Sequence, residues 1–170
     1  MGSGLDAGVA IGPLVSQAAI DKVQSQVQDA CEKGAKVISG GQALTEGALA
    51  NGHFFAPTVL ADITEDMQIY REETFGPVAA VMPFSDSDDI YAMANDTHYG
   101  LAAYAYTRSL QRAYEAMENL HFGIIGINDI NPTSAAAPFG GVKDSGLGRE
   151  GGLEGLAEYL ETKTVGLSIA

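Results

Sequence analysis

Two adjacent carboxylates open the stretch of the sequence that is best suited to bind a polar ligand. Residues 71–77 read REETFGP, so Glu72 and Glu73 come just before the aromatic Phe75 and a Gly-Pro pair. Glycine next to proline is a strong turn signal, and an apolar run over 78–82 follows at once, which predicts a junction between a loop and a strand. A carboxylate fixed there could face a ligand, with the phenyl ring beside it as a flat apolar surface. The alternative is that Glu72 and Glu73 form a solvated helix end and that Phe75 is core.

A second candidate region is the polar segment over residues 128–138, which reads NDINPTSAAAP and follows the apolar run 124–127. In parallel α/β sheets, ligands bind beyond the carboxyl ends of the strands. The segment is long for a loop between a strand and the next element, and its first half is polar, which is typical of a binding loop. For Thr133 and Ser134 the alternative is a loop turn made by their own side-chain hydrogen bonds.

Glycines dominate the next stretch, residues 139–152, which reads FGGVKDSGLGREGG. Gly146, Gly148 and Gly151 match the pattern G-x-G-x-x-G of dinucleotide-binding loops. That fingerprint needs a strand directly before it inside a β-α-β unit, whereas residues 143–145 are polar. The sequence therefore favours tight backbone packing beneath the 128–138 loop, and phosphate binding remains the alternative.

The chain has a single cysteine, Cys31, so an internal disulfide and a cysteine-based metal cage are excluded. Cys31 falls near the end of a predicted helix, beside Asp29 and Glu32, where the helix dipole disfavours a thiolate. We therefore predict that Cys31 packs structurally and is not a nucleophile. The three histidines lie far apart without ligand-like spacing, and no metal site is predicted.

Composition excludes several classes of partner. The 170 residues are 46% hydrophobic and 18% charged, with a net charge of −13 and a pI near 4.3. Such an acidic chain repels nucleic acid and anionic membrane surfaces. No apolar run approaches the ~20 residues of a membrane span, and no leader pattern is present. With one cysteine, we expect a reducing, cytoplasmic setting.

Apolar periodicity predicts the elements that position these residues. Ser16 is a good helix N-cap, and the apolar stripe of the helix predicted to follow as far as Lys33 consists of Ile20, Val23, Val27 and Ala30. Further helices are predicted over residues 86–95, capped by Ser85, 109–120 and 153–160. Strands are predicted over residues 35–39, 54–60, 78–84, 101–106 and 124–127.

Strands that alternate with helices and are almost continuously apolar indicate an α/β fold, with helices flanking a parallel sheet. Residues 162–169 are predicted to form a final strand. Because a terminal strand leaves an unpaired edge, another subunit is the expected partner for it.

Three segments together, in this order and spacing, resemble the aldehyde dehydrogenase superfamily. They are GLDAGVAIGPLVSQAAIDKV, REETFGPV, and APFGGVKDSGLGREGG followed by ETKTV. The stretches YGLAAYAYTR, GIIGIN and SGLGREGG are most similar to the succinate-semialdehyde branch.

The resemblance covers only the part of the family's catalytic domain that follows the nucleophilic cysteine, together with the carboxyl-terminal arm. Met1, Gly2 and Ser3 are interpreted as a cloning remnant. The resemblance implies a partial catalytic domain at 4–161 and an oligomerisation strand at 162–170. The family's catalytic cysteine, its general-base glutamate and its dinucleotide-binding half have no counterpart here. No catalytic residue is therefore assigned, and the chain alone is expected to be inactive.

Site residues follow from the same resemblance. It implies that Glu73 accepts hydrogen bonds from the nicotinamide ribose of NAD or NADP and that Phe75 packs near the nicotinamide ring. It also implies an aldehyde entrance, lined by Asn131, Thr133, Ser134 and Phe139. Pro132 and the three alanines after Ser134 depart from the pattern of the succinate-semialdehyde branch, so the length and charge of the substrate stay open.

A hypothesis of another class is a noncatalytic α/β module that uses its terminal strand for assembly. In either case we expect a homo-oligomer through residues 162–170 and no partnership with nucleic acid or membrane.

Overall fold

The computed structural model describes residues 1–169, and the chain divides into two compact units, Met1–Asp86 and Ser87–Ala170. Nothing in the sequence indicated this division. The elements of the first unit are, in order, α1 (Gln17–Glu32), β1 (Lys36–Ser39), a 3-10 turn (Gly47–Leu49), β2 (Thr58–Ala61), α2 (Gln68–Arg71) and β3 (Val78–Ala80).

The long first helix forms as predicted. The Ser16 hydroxyl accepts a hydrogen bond from the Ala19 amide at 3.3 Å, which satisfies one of the free donors at the helix start. Gly34 follows the helix at φ +105°, a conformation that glycine adopts without a steric penalty. The predicted apolar stripe is buried, and it consists of Ile20, Val23, Val27 and Ala30.

The first unit has a three-stranded sheet in the order β1-β2-β3. The β2–β3 pair is parallel, and β1 pairs with β2 antiparallel. The sequence predicted parallel pairing among the strands from residue 78 onward, but β3 lies in a different sheet from β5 and β6. The strand predicted over 54–60 begins only at Thr58, because Pro57 has no N–H to donate to a ladder. One hydrophobic core joins the sheet to α1, and it contains Ile20, Val23, Val27, Ala30, Ala35, Phe55, Leu60, Ile63 and Met67.

The second unit contains α3 (Ile90–Asn95), β4 (Tyr99–Gly100), β5 (Ala102–Ala105), α4 (Leu110–Asn119), β6 (Ile124–Ile127), β7 (Val142–Lys143) and α5 (Glu154–Ala157). β5 and β6 pair in parallel with α4 between them, which is the predicted β-α-β unit. The Ser109 hydroxyl caps α4 by accepting a hydrogen bond from the Arg112 amide at 3.3 Å. β4 and β7 pair antiparallel. The chain is thus α/β, with mixed rather than purely parallel strand pairing.

Several predicted boundaries in the second unit are wrong. The helix predicted over 86–95 begins at Ile90, and its cap is Asp89, whose carboxylate accepts a hydrogen bond from the Ala92 amide at 3.0 Å. The last helix is a single turn, α5. Residues 162–169 form no strand, because no strand among residues 1–169 pairs with them, and their side chains are exposed. Residue 170 of the predicted arm lies outside the described residues.

Among residues 1–169, no helix is both long enough and apolar enough to cross a membrane.

Candidate functional site

The two carboxylates lie where the sequence placed them, between the end of α2 and the start of β3. Glu72 is the C-cap of α2, so the expected solvated helix end is present too. Glu73 is exposed, and Phe75 is 81% exposed, which excludes a core role for this ring. No residue within 1–169 donates a hydrogen bond to the Glu73 carboxylate. It is therefore available to accept bonds from a ligand.

The backbone around Phe75 is strained and fixed from both sides. Phe75 has φ +48°, a left-handed conformation that is rare for a bulky residue and costs on the order of 1–3 kcal/mol. A Cβ on Gly76 would lie 2.6 Å from Cγ2 of the fully buried Val23, so only glycine fits against α1 there. The Pro77 carbonyl accepts a hydrogen bond from the Thr58 amide at 2.8 Å. Strain of this kind persists where the surroundings over-determine the conformation, and it is common at ligand sites.

Side chains on one face of α1 hold the backbone of the residues that lead up to Phe75. We call residues 66–76 the Glu73 segment, and we call the side chains that hold it the α1 polar stripe (Lys22, Gln26, Asp29 and Lys33). Lys22 Nζ donates to the carbonyl of Glu73. Gln26 Nε2 donates to the carbonyl of Glu72 at 3.4 Å.

The stripe continues toward the end of α1. Asp29 Oδ2 accepts a hydrogen bond from the Gln68 amide at 2.8 Å, and Lys33 Nζ donates to the Asp66 carbonyl at 2.5 Å. Lys33 also pairs with Asp29 Oδ1 at 2.8 Å. The Gln68 N–H, followed by Lys33, lowers the pKa of the Asp29 carboxyl. The Thr64 hydroxyl is the main cause of the lowered pKa of Asp66.

Sequence reasoning missed this stripe. Its four members recur at spacings of four, three and four residues, which puts them on one side of a helix. The detectable signal was a polar line beside the apolar line on α1. The sequence could not show that backbone groups of residues 66–73 lie opposite it, because those groups carry no sequence information.

The 128–138 loop starts at the carboxyl ends of the parallel pair β5–β6. Asn128 has φ +55°, and its side chain bonds Thr107 twice: Oδ1 accepts from the Thr107 amide and Nδ2 donates to the Thr107 carbonyl, each at 2.9 Å. The end of β6 is thereby tied to the end of β5. The loop leaves from the edge of the sheet at which the sequence predicted ligand binding.

Within the loop, side chains close their own turns. The Asn131 amide donates to the Asp129 carboxylate at 2.9 Å, and the Thr133 hydroxyl donates to Asn131 Oδ1 at 2.7 Å. The structure therefore brings Asn131 and Thr133 together, and the local-turn alternative describes Thr133 correctly. Asn131, Thr133 and Ser134 are all exposed. A ligand could still compete for these bonds, because water reaches them.

Phe139 lies at the far end of the loop. It is 39% exposed and forms a two-way backbone bridge with Glu150, with both N–H···O distances 2.7 Å. Its place beside Asn131 and Thr133 as an aromatic wall stays a prediction.

The glycine-rich stretch packs by its backbone, as the sequence favoured. A Cβ on Gly140 would lie 2.7 Å from the Gly148 carbonyl oxygen, and one on Gly151 would lie 2.8 Å from the Ala137 carbonyl oxygen. The two-residue strand before the G-x-G-x-x-G pattern, β7, pairs antiparallel, unlike the parallel strand of a dinucleotide-binding unit. Gly151 therefore packs closely against the backbone of the 128–138 loop, and Gly140 packs against Gly148 within the stretch itself. A Cβ on Gly146 would meet nothing within 4 Å, so close packing does not explain this glycine.

Cys31 is exposed, so the prediction that it packs structurally is wrong. It lies in the last turn of α1, one position past the buried stripe. Across residues 1–169, no group of three or more histidine, cysteine or acidic side chains could hold a metal ion.

Comparison with known proteins yields one family. The family model described as "Aldehyde dehydrogenase family" matches residues 1–165. The chain is 49% identical to the NADP(+)-dependent succinate-semialdehyde dehydrogenase of Escherichia coli (strain K12), over 96% of the chain and 33% of the relative. It is 44% identical to the glutarate-semialdehyde dehydrogenase of Pseudomonas putida, over 99% of the chain and 34% of the relative.

A solved structure agrees with these matches. The aldehyde dehydrogenase of Bacillus cereus in its NAD+ complex superposes with a TM-score of 0.88 at 40% identity, over 98% of the chain and 33% of that structure. The chain thus spans about a third of the length of the proteins it matches.

Proposed function

The chain belongs to the aldehyde dehydrogenase family, and from this premise we propose that it is the carboxyl-terminal third of an NAD(P)-dependent enzyme that oxidises a semialdehyde to a carboxylic acid. The family match over residues 1–165 carries the proposal. In this account the nucleophilic cysteine, the general base and most of the coenzyme site belong to sequence outside this chain. The chain alone is expected to oxidise no aldehyde.

On the coenzyme side, we assign Glu73 and Phe75 to the wall that faces the nicotinamide riboside. The free, exposed carboxylate fits hydroxyl donors, since an ionised carboxylate offers only acceptors. The exposed ring of Phe75 fits a flat heteroaromatic partner. A nicotinamide coenzyme supplies the acceptor for hydride from the aldehyde carbon. Glu73 then orients the ribose, which keeps the ring within reach of the reacting carbon.

On the substrate side, we assign Asn131, Thr133, Ser134 and Phe139 to the aldehyde entrance. The relatives named above act on succinate semialdehyde and glutarate semialdehyde, which both carry a carboxylate at the far end. The exposed hydroxyls and amide of the loop can donate hydrogen bonds to such a carboxylate. Succinate semialdehyde is the substrate we propose first, because the E. coli relative is 49% identical.

Coenzyme preference, assembly and compartment are further parts of the proposal. The E. coli relative is named for NADP(+), whereas the B. cereus structure holds NAD+, so either coenzyme is consistent with the family. We propose a homo-oligomer in which another subunit pairs with residues 162–170, since residues 162–169 pair with no strand among residues 1–169. A cytoplasmic setting is supported by the single cysteine.

The test uses a completed enzyme, made by joining this chain to the amino-terminal two thirds of the E. coli relative. We expect it to reduce NADP+ in the presence of succinate semialdehyde. In this enzyme Glu73→Gln should slow hydride transfer by roughly 10- to 100-fold, because a hydrogen bond to a charged group contributes about 1.5–3 kcal/mol. The rate at which the nucleophilic cysteine of the completed enzyme is acylated should change far less.

Glu72→Gln is the matched control, since it removes the same charge one residue away. Its rate of hydride transfer should stay within about 3-fold of the parent. A folded completed enzyme that forms no reduced coenzyme with any semialdehyde would contradict the proposed reaction. Equal effects of the two substitutions would contradict the role of Glu73.

A further inference from the structure

The Glu73 segment is held by its backbone from α1, and this suggests residues that act on the coenzyme site without touching the coenzyme. The contacts run in opposite order along α1 and along the Glu73 segment. Successive members of the stripe meet the carbonyl of Glu73, the carbonyl of Glu72, the amide of Gln68 and the carbonyl of Asp66. The segment therefore lies antiparallel along α1 and is tied at four points.

Two members of the stripe differ from ordinary surface residues. Gln26 is only 1% exposed, and its Oε1 has no hydrogen-bond partner. Burying an amide oxygen without a partner costs on the order of 1–3 kcal/mol, so Gln26 is not explained by stability alone. A leucine or methionine would fill the same space more cheaply. Its Nε2, however, donates to the Glu72 carbonyl, one peptide away from the residue proposed to meet the ribose.

Asp29 acts at the other end of the segment. Its two carboxylate oxygens are divided between Gln68 N–H and Lys33 Nζ, both at 2.8 Å. The first bond anchors the start of the α2 turn, which leads directly into Glu72 and Glu73. Displacing this turn would shift the carboxylate that follows it, and an ångström of misplacement can cost on the order of 100-fold in rate.

We propose that Gln26 and Asp29 are positioning residues, which fix the backbone of the Glu73 segment so that the Glu73 carboxylate stands ready for the coenzyme ribose. This inference rests on the proposed function of Glu73. It adds that side chains of α1, which do not themselves face the coenzyme, determine the geometry of the proposed coenzyme wall. The strained Phe75 and the close Gly76–Val23 contact are consistent with a segment that is held rather than free.

The first experiment measures the segment itself in the 170-residue chain. Gln26→Glu keeps the shape of the side chain but removes the donor, and Asp29→Ala removes the acceptor. We expect amide hydrogen exchange at residues 68–74 to accelerate at least about tenfold in each variant. Asp29→Asn should restore slow exchange at Gln68, because an amide oxygen still accepts a hydrogen bond. Gln24→Glu, on the exposed side of α1, is the matched control and should change nothing.

The second experiment measures the completed enzyme with the same variants. Gln26→Glu and Asp29→Ala should weaken coenzyme use about tenfold, seen in KM for NADP+ or in hydride transfer. KM for the aldehyde should be unchanged, and Asp29→Asn should recover most of the loss. A variant that merely destabilised the protein would not separate the two KM values in this way.

The two experiments distinguish the possible failures. Unchanged exchange at residues 68–74 overturns the positioning inference, whatever Glu73→Gln does. Faster exchange with normal coenzyme kinetics also overturns it if Glu73→Gln slows hydride transfer. If Glu73→Gln is silent as well, the proposed role of Glu73 fails and the inference falls with it.

Discussion

The two units of this chain differ in how much of their apolar surface they bury themselves. The first unit has ten buried hydrophobic residues, including the fully buried Val23, Leu60 and Met67. Among the described residues of the second unit, Ala116 is the one buried hydrophobic side chain. Large apolar side chains there are exposed instead, among them Leu110, Tyr114, Leu147, Leu153, Leu156, Tyr159 and Leu160.

This difference teaches which candidate site the chain can organise alone. The Glu73 segment belongs to the unit with a core, and it is tied to a helix whose other face forms that core. The 128–138 loop belongs to the unit without one. Asn128 ties its start to Thr107, and the bonds of Asn131 and Thr133 close local turns. The proposed coenzyme wall is thus held by a packed core within its own unit, whereas the proposed substrate entrance belongs to a unit with little buried apolar surface.

The difference in burial between the two units can be tested most directly by truncating one leucine in each unit. Leu60→Ala removes a side chain with no exposure, and it should lower the free energy of unfolding by about 2–5 kcal/mol. Leu156→Ala makes the same chemical change at a residue that is 62% exposed. It should change the free energy of unfolding by no more than about 0.5 kcal/mol. Urea denaturation followed by circular dichroism measures both, and equal costs would refute the contrast.

Self-association is the second prediction. The exposed apolar side chains of the second unit, together with Val165, Leu167 and Ile169 near the terminus, should drive the chain into dimers or larger assemblies. Light scattering after gel filtration should give at least twice the 17.7 kDa mass of the chain. Replacing Val165, Leu167 and Ile169 with serine should raise the monomer fraction. A strictly monomeric chain at high concentration would show that this surface needs no partner.

The same contrast explains what could be predicted from sequence. The burial of Ile20, Val23, Val27 and Ala30 followed from helical period alone, because the sheet that covers them is in the same chain. In α4, Leu110, Ala113 and Met117 also recur at helical spacing, yet Leu110 is 73% exposed and Met117 is 43% exposed. Period shows which face of a helix is apolar, but it does not show whether anything covers that face.

The misses have physical causes as well. The antiparallel β1–β2 and β4–β7 pairings join segments far apart in sequence, and local patterns do not determine such pairing. The α1 polar stripe resembled an ordinary solvated face, because its partners are backbone groups. The Glu73 and Phe75 junction was predictable, since Gly76-Pro77 marks it in the sequence.

A smaller effect is expected in the substrate loop. In the completed enzyme, Thr133→Ala and Ser134→Ala should each raise KM for succinate semialdehyde by roughly 10-fold, since a hydrogen bond to a charged group contributes about 1.5 kcal/mol or more. Hydride transfer at saturating aldehyde should be unaffected. An uncharged aldehyde of similar length is the control, because the loop would offer its far end no charge-assisted bond. A loss of the same size with both aldehydes would remove this loop from substrate recognition.

The smallest effect concerns pH. The pKa of Asp29 is lowered in the folded chain by the Gln68 N–H and then by Lys33, with the facing Asp66 also close enough to interact. A lowered pKa stabilises the fold at pH values above the ordinary pKa of 3.8, and this contribution is lost as pH falls through the lower folded value. Between neutral pH and about pH 3, Asp29→Asn should therefore lose less stability than the parent chain in urea titrations. Identical pH profiles would show that the Asp29 bonds add nothing.

The most direct test of the coenzyme wall is amide hydrogen exchange of the completed enzyme with and without NADP+. We predict that coenzyme slows exchange at residues 72–76 and leaves residues 128–138 unchanged until a semialdehyde or its acid is added. Protection of residues 146–152 by coenzyme, with no change at 72–76, would contradict the account.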